Sequence, residues 1–240
     1  GVEEIEVVRA HIEGLGADGI NIGDDSHAVT IRDSLFESTR ALLAPQNKSA
    51  SAHADFIQYW VHDPAGTGIS GLTIAGNIFL QGEGGPSQGI FGHYKPLRGE
   101  PGPAAAPIAD VTITDNLFYT SLWNGISVSA GAGLTVAHNT LLPAPVMPEQ
   151  GLPGTVFPKL VIGDTGRTHP ALWGEDVVVT GNAGTRLAEF LGPEGADPDA
   201  LAAHYAAQRI GIGDNLLLGL TGRAVSPWWE AYPDLPPPDG

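Results

Sequence analysis

The sequence predicts an all-β solenoid, a parallel β-helix, on three observations. A short phrase of alternating apolar and polar residues recurs along the chain, a similar turn closes each copy, and the copies have a minimal spacing of 23 residues. Alternation at period two marks a strand with one buried face. A minimal period that tolerates long insertions is what a solenoid produces when each coil supplies one rung and loops bulge from one side.

The phrase reads Leu72-Thr73-Ile74-Ala75-Gly76-Asn77-Ile78-Phe79, and returns as 29–36 (VTIRDSLF), 111–118 (VTITDNLF) and 134–141 (LTVAHNTL), with weaker copies ending at Asn182 and Asn215. Its punctuating positions are His11, Ser34, Asn77, Asn116, Asn139, Asn182 and Asn215, which lie 23, 43, 39, 23, 43 and 33 residues apart. Two gaps are bare repeats and the others carry insertions. A second strand follows in most coils, at 18–23 (DGINIG), 55–60 (DFIQYW), 88–93 (QGIFGH), 124–129 (NGISVS) and 159–163 (KLVIG). No helical pattern separates these strands, so two or three short strands per coil are expected.

The first coil runs from Val2 to Gly23, with Ile20 and Ile22 inward and Asn21 outward. Inward columns should then stack, Ile31 with Ile74, Ile113 and Val136, and Phe36 with Phe79 and Phe118. The Asn column is expected to form a ladder of side-chain amides along the axis. Insertions at 39–52, 61–68 and 94–109 should rise beside the second strands and wall a groove. Past Asn139 the repeat degrades into loops at 143–158 and 164–174. Asp197, followed by Pro198 and an Ala-rich run to Gln208, predicts a short capped helix. One last rung spans 210–218, and the Pro-rich tail carries Trp228 and Trp229, expected to brace the solenoid end or to offer a platform for sugar.

These phrases resemble the right-handed parallel β-helix proteins of the pectate-lyase-like superfamily. HADFIQYW followed by SQGIFGHY is similar to a bacterial and phage-associated subgroup of β-helix repeat proteins. The likeness covers roughly residues 1–185, leaving 186–240 for the helix, last rung and tail of the same domain. It implies a right-handed coil and a polysaccharide lying along an external strand face. Of the reaction it implies little, because one scaffold hosts many activities.

Composition narrows the partners. Eleven basic against 27 acidic residues give a formal charge of −16, which argues against nucleic acid, whose phosphates need Lys and Arg. A uronic-acid polymer would require a local basic patch or bridging calcium. Cys is absent, so there is neither a disulfide nor a thiol nucleophile. No apolar run reaches the ~20 residues of a membrane span. Because the chain opens inside a coil, without an initiator Met or a cap, it is expected to be the C-terminal piece of a longer protein.

Alternation along the second strands places Gln58, Phe91 and Ser127 outward at one level and Trp60, His93 and Ser129 at the next. His53, Asp55, Lys95 and Arg98 fall on or beside the same face. An outward Trp among polar groups suits sugar recognition, the ring covering the pyranose and the polar groups meeting hydroxyls. Gln58, Trp60, Phe91, Tyr94 and Asn21 are therefore the expected substrate contacts, and His53, Asp55, His93, Lys95 and Arg98 the expected catalytic set.

Three chemistries could use this face. A β-eliminating lyase needs a base, here His93 or Lys95, and a cation such as Arg98 to neutralise the uronate. An inverting hydrolase needs two carboxylates, drawn from Asp18, Asp24, Asp25 and Asp55. The third is binding alone, by a glycan-binding spike or adhesin of a phage-like particle or cell surface, for which a homotrimer is the expected assembly. Asp24 and Asp25 are expected first as an ordinary solvated turn, with calcium ligation as the alternative. The 20–25 segment (INIGDD) is similar to the Asp-Asp motif of polygalacturonases, but no Asn-Thr-Asp or Arg-Ile-Lys motif accompanies it, so that assignment does not transfer. His27, His53, His62 and His93 lack the tight spacing of a zinc site. The expectation is an extracellular or virion-associated protein that acts on or binds polysaccharide, with lyase chemistry ahead of hydrolysis.

Overall fold

The computed structural model describes residues 1–15, 18–37, 54–63, 66–82, 87–94, 107–120, 124–144, 158–163, 172–193 and 195–217. Its strands fall into coils of three. The first coil holds β1 (Glu3–Val8), β2 (His11–Glu13) and β3 (Ile20–Ile22); the second β4 (Ser26–Arg32), β5 (Leu35–Glu37) and β6 (Ala54–Val61); the third β7 (Ile69–Ala75), β8 (Ile78–Leu80) and β9 (Ser87–Tyr94). The fourth holds β10 (Ile108–Thr114), β11 (Leu117–Thr120) and β12 (Asn124–Val128); the fifth β13 (Ala132–Ala137), β14 (Thr140–Pro143) and β15 (Lys159–Gly163). The sixth holds β16 (Val178–Thr180), β17 (Ala183–Gly184) and β18 (Leu187–Phe190), after which α1 (Pro198–Gln208) precedes the last rung, β19 (Gly211–Gly213) and β20 (Leu216–Leu217).

Like strands of successive coils pair in parallel. The first strands make a seven-stranded sheet, the second strands another, and the third strands a six-stranded sheet, each in coil order. The chain is thus a parallel β-helix with three faces, and the last rung continues two of them.

The corner between the first and second strand has one design in every coil. A residue in the left-handed region turns the chain there, Arg9, Asp33, Gly76, Asp115, His138, Gly181 or Asp214, with φ between 50° and 66°. Glycine takes this conformation without penalty, and Asp tolerates it better than most residues. From the second coil on, the next residue is the ladder residue; in the first coil Ala10, and not the expected His11, is level with Ser34.

Asn77, Asn116, Asn139 and Asn182 are buried, and each Nδ2 donates to the Oδ1 of the Asn one coil on, ending on Asn215, at 2.9–3.0 Å. That same Oδ1 accepts the backbone N–H of the Asn before it. The second amide proton goes back to a first-strand carbonyl of the preceding coil, Ile31, Ile74, Ile113 or Val136. Every polar atom of the side chain is therefore spent, as burial requires. Ser34 begins the column, its N–H donating to Asn77 Oδ1 and its Oγ accepting from Ala10 N–H.

Inside, the expected columns form. Ile31, Ile74, Ile113 and Val136 are in register and fully buried. Phe36, Phe79 and Phe118 stack at centroid distances of 4.9 and 4.6 Å, and Phe56 joins from the third sheet at 5.4 Å. Each such side chain contributes ~1.5–3 kcal/mol on burial, repeated coil after coil.

The helix has the caps its sequence promises. Asp197 accepts from Ala200 N–H at 2.8 Å, and Arg209 closes the end in the left-handed conformation at φ 58°. Gln208 O accepts from Asp176 N–H, and the Arg209 guanidinium grips Asp176 and Glu175, which ties the helix end to the sixth coil. The guanidinium holds the Asp176 carboxyl below its ordinary range through its hydrogen bonds.

Asn116→Ala should lower the unfolding free energy by ~3 kcal/mol, because it strands the Asn77 amide and N–H inside the wall. Asn215→Ala, at the half-buried end, should cost distinctly less. Denaturant midpoints check this, and equal losses would show that the ladder is not what holds the corner.

Candidate functional site

The outer face of the third sheet collects the polar and aromatic residues that the repeat does not need. Its geometry starts from a shared bend. In three successive coils two consecutive residues turn inward: Phe56 and Ile57, Gly89 and Ile90, Gly125 and Ile126. The two glycines leave the space required, since a Cβ on Gly89 would lie 2.6 Å from the Phe118 ring and one on Gly125 2.4 Å from Leu141 Cδ2. With two residues inside, the residue before the bend is left on the outer side. Those residues are Asp55, Gln88 and Asn124, with Asp18 in the coil before.

They form a polar row of two hydrogen-bonded groups. Asp55 N–H donates to Asp18 Oδ1 at 3.0 Å, and Gln58 Nε2 donates to Asp55 Oδ2 at 2.7 Å. Asn21 Nδ2 donates to Gln58 Oε1 at 3.1 Å, and Asn124 Nδ2 to Gln88 Oε1 at 3.0 Å. The row is well shielded: Asp55 is 0% exposed, and Gln58 and Gln88 are buried.

Toward the end of the strands the row gives way to rings. Register pairs Trp60 with His93 and Gln58 with Phe91. The Trp60 and Phe91 centroids lie 5.1 Å apart edge to face, Phe91 and His93 4.5 Å apart, and Trp60 and His93 6.1 Å apart, with His62 6.0 Å beyond Trp60. All three of Trp60, Phe91 and His93 stay partly exposed. The His93 ring reaches across to the next strand, with Nε2 3.0 Å from Ser127 Oγ and Nδ1 3.3 Å from Ser129 Oγ. Ser129 Oγ also accepts from Tyr94 N–H at 3.1 Å.

Asn21, Gln58, Trp60, Phe91 and His93 therefore meet on one face, as the alternation predicts, and Asp55 joins them because the double inward step at Phe56 and Ile57 breaks the alternation. Tyr94 does not join them. One residue beyond the outward His93 it must point inward, and it packs in the core cluster beside Val61, its neighbour Tyr59 filling the space that Gly92 leaves. His53, Lys95, Arg98, Trp228 and Trp229 lie outside the described residues, as do most of the insertions at 39–52 and 94–109.

Asp24 and Asp25 serve the loop after β6. Asp24 Oδ1 accepts from the N–H groups of His62 and Asp63, while Asp25 Oδ1 accepts from Thr67 N–H and Oγ1 at 2.7 and 2.8 Å. The adjacent carboxylates thus hold two points of one turn, and His62 Nδ1 lies 3.6 Å from Asp24 Oδ2, although among the described residues no three ligand atoms gather there as a metal site would need. Among the described residues, the group of three that does come together is His11, Glu13 and Glu37 on the outer side of the second sheet, all solvent-accessible. It escapes sequence reading because Glu37 arrives from the next coil. His27 sits on the first sheet between Ser70 and Thr67.

Sequence reasoning placed Ser127 and Ser129 outward but gave them no role. The signal was the His93 position itself, two residues past Phe91 and level with Ser129, from which the ring spans both hydroxyls. Chemically the face offers amide donors and acceptors, a buried carboxylate, three ring faces and a His–Ser contact. Neither a protein-family model nor a curated protein nor a solved structure matches the chain.

The hydrogen bonds from Thr67, first from its hydroxyl and then from its N–H, hold the Asp25 carboxyl below its ordinary range. A depressed carboxylate adds stability at pH values above its unfolded pKa and loses it as pH falls through the folded one. The Thr67 amide resonance should therefore titrate below the usual carboxylate range, and Asp25→Asn should abolish that step. A Thr67 titration at or above the ordinary value would contradict the clamp.

Proposed function

We propose that the protein engages a polysaccharide along the outer face of its third sheet. The observation that carries this is the trio of partly exposed Trp60, Phe91 and His93 rings set beside the exposed Asn21 and the Gln58 amide it bonds. Ring faces suit the apolar side of a pyranose, and amides and carboxylates suit its hydroxyls. Coils stacked about 4.8 Å apart repeat such contacts along an extended chain. The likeness of the repeat phrases to the pectate-lyase-like superfamily supports the same face, and a polymeric glycan as ligand agrees with a protein on a cell or particle surface or in the medium.

Two forms of this reading differ in chemistry. In one, the protein is a lyase or hydrolase and His93 or Asp55 moves a proton at the sugar. In the other, it binds without turnover, as a spike or adhesin does. The second gains from one observation: both His93 nitrogens are directed at serine hydroxyls and Asp55 is closed off by Gln58, so neither group is presented directly to a sugar carbon.

Affinity electrophoresis against neutral and acidic polysaccharides should show retardation by at least one polymer. Trp60→Ala and Phe91→Ala should each weaken it about tenfold, equal to ~1.4 kcal/mol, with unchanged melting temperature. Unaltered retardation in both variants would remove the face from consideration. Appearance of an unsaturated uronate, read by ultraviolet absorbance, would assign elimination, and new reducing ends without it would assign hydrolysis.

A further inference from the structure

The outer side of the first sheet carries a line of polar side chains that runs from a carboxylate to a serine. Thr67 Oγ1 donates to Asp25 Oδ1 at 2.8 Å, His27 Nε2 lies 2.9 Å from Thr67 Oγ1, and His27 Nδ1 lies 2.8 Å from Ser70 Oγ. A nucleophilic serine is recognised by a base within about 2.6–3.2 Å that a third group orients in turn. We propose that Ser70 is a nucleophile activated by His27, with Thr67 and Asp25 fixing the imidazole, and that it hydrolyses carboxylic esters presented to this face.

Counting protons sets the direction of every bond in the line. The Asp25 carboxyl is held below its ordinary range, so near neutral pH it is ionised and can only accept. The single hydroxyl proton of Thr67 therefore points at Asp25, and the Thr67 oxygen accepts from His27, which puts the ring proton on Nε2. In the neutral imidazole Nδ1 then carries a lone pair, so the proton between it and Ser70 belongs to the serine. Nδ1 is the base, and the ring serves in the opposite sense from the familiar triad, where the serine faces Nε2 and the orienting carboxylate Nδ1. Thr67 and Asp25 are positioning residues.

The backbone holds the parts together. Register pairs His27 of β4 with Ser70 of β7, which brings the ring across to the neighbouring hydroxyl. Thr67 N–H also donates to Asp25 Oδ1, at 2.7 Å, so the turn that carries Thr67 is fixed to the same carboxylate. On the other side of Ser70 the register partner is Ala109, whose methyl group leaves the approach low. His27 and Ser70 are both partly exposed, so an ester reaches the hydroxyl from solvent.

The reaction balances with water as its only further reagent. Ser70 Oγ attacks the acyl carbon while its proton passes to Nδ1; the tetrahedral intermediate collapses, the ester C–O bond breaks, and Nδ1 returns the proton to the departing alcohol. Water then attacks the acyl-serine and gives a proton to Nδ1, and collapse releases the carboxylic acid as that proton restores the Ser70 hydroxyl. The carboxylate reaches the ring only through a neutral hydroxyl, which backs the base less strongly than direct contact, so slow turnover is expected.

This site lies on a different sheet from the glycan face and does not rest on the polysaccharide reading. The full chain is incubated with diisopropyl fluorophosphate, and adducts are located by intact mass and peptide mapping, alongside p-nitrophenyl acetate turnover. One adduct per chain at Ser70 is expected, absent in Ser70→Ala and in His27→Gln at unchanged melting temperature. Thr67→Val keeps the N–H bond to Asp25 but loses the hydroxyl, and should slow labelling about tenfold or more. Thr67→Ser should restore most of the rate, a rescue that a packing role would not give. Nitrogen NMR of the imidazole should find the His27 proton on Nε2. An unmodified wild type, an adduct on another residue, equal labelling of Ser70→Ala, or a ring proton on Nδ1 would overturn the proposal, whatever the glycan retardation shows.

Discussion

Everything in this molecule depends on coils staying in register, and the asparagine column enforces it. Each Asn side chain bonds forward to the next Asn and backward to a carbonyl of the coil before, so it reads two neighbours at once. A slip by one residue would leave several buried polar groups without partners along the whole wall, each costing ~1–3 kcal/mol. Alternating hydrophobicity alone tolerates a slip of two residues, because the same faces stay buried. The ladder does not.

Register at one corner fixes geometry at the others. The phenylalanine stack follows the ladder by two residues, and Phe56 reaches it from the third sheet, so the aromatic core couples the second and third faces. Gly89 and Gly125 are small where the Phe118 and Leu141 side chains need room. The inward bend recurs at both glycines and at Phe56, and it leaves Asp55, Gln88 and Asn124 out in one row. The candidate site is thus a by-product of how the core is filled, which makes it rigid: its groups sit on strands whose opposite faces are fully packed.

The loops are held by local polar bonds instead. Asp24 and Asp25 clamp the turn after β6, and Arg209 clamps the helix end to Asp176 and Glu175. These contacts are exposed, so they position segments more than they stabilise the fold. The strong negative charge is spread over such turns, among them three of the Asp residues that adopt the left-handed corner conformation ahead of the ladder.

The sequence by itself determined the solenoid, because a period-two pattern and a repeating corner are local features that every coil spells out. It also determined which of Gln58, Trp60, Phe91 and His93 face outward, since alternation along one strand suffices for that. The Asn ladder was legible from spacing, and so was the capped helix. Tertiary structure decided what depends on distance across coils. Asp24 and Asp25 became clamps because the following loop returns to meet them. His93 came to span Ser127 and Ser129, 34 and 36 residues away, a contact set by the stacking of β9 on β12 that strand alternation does not encode.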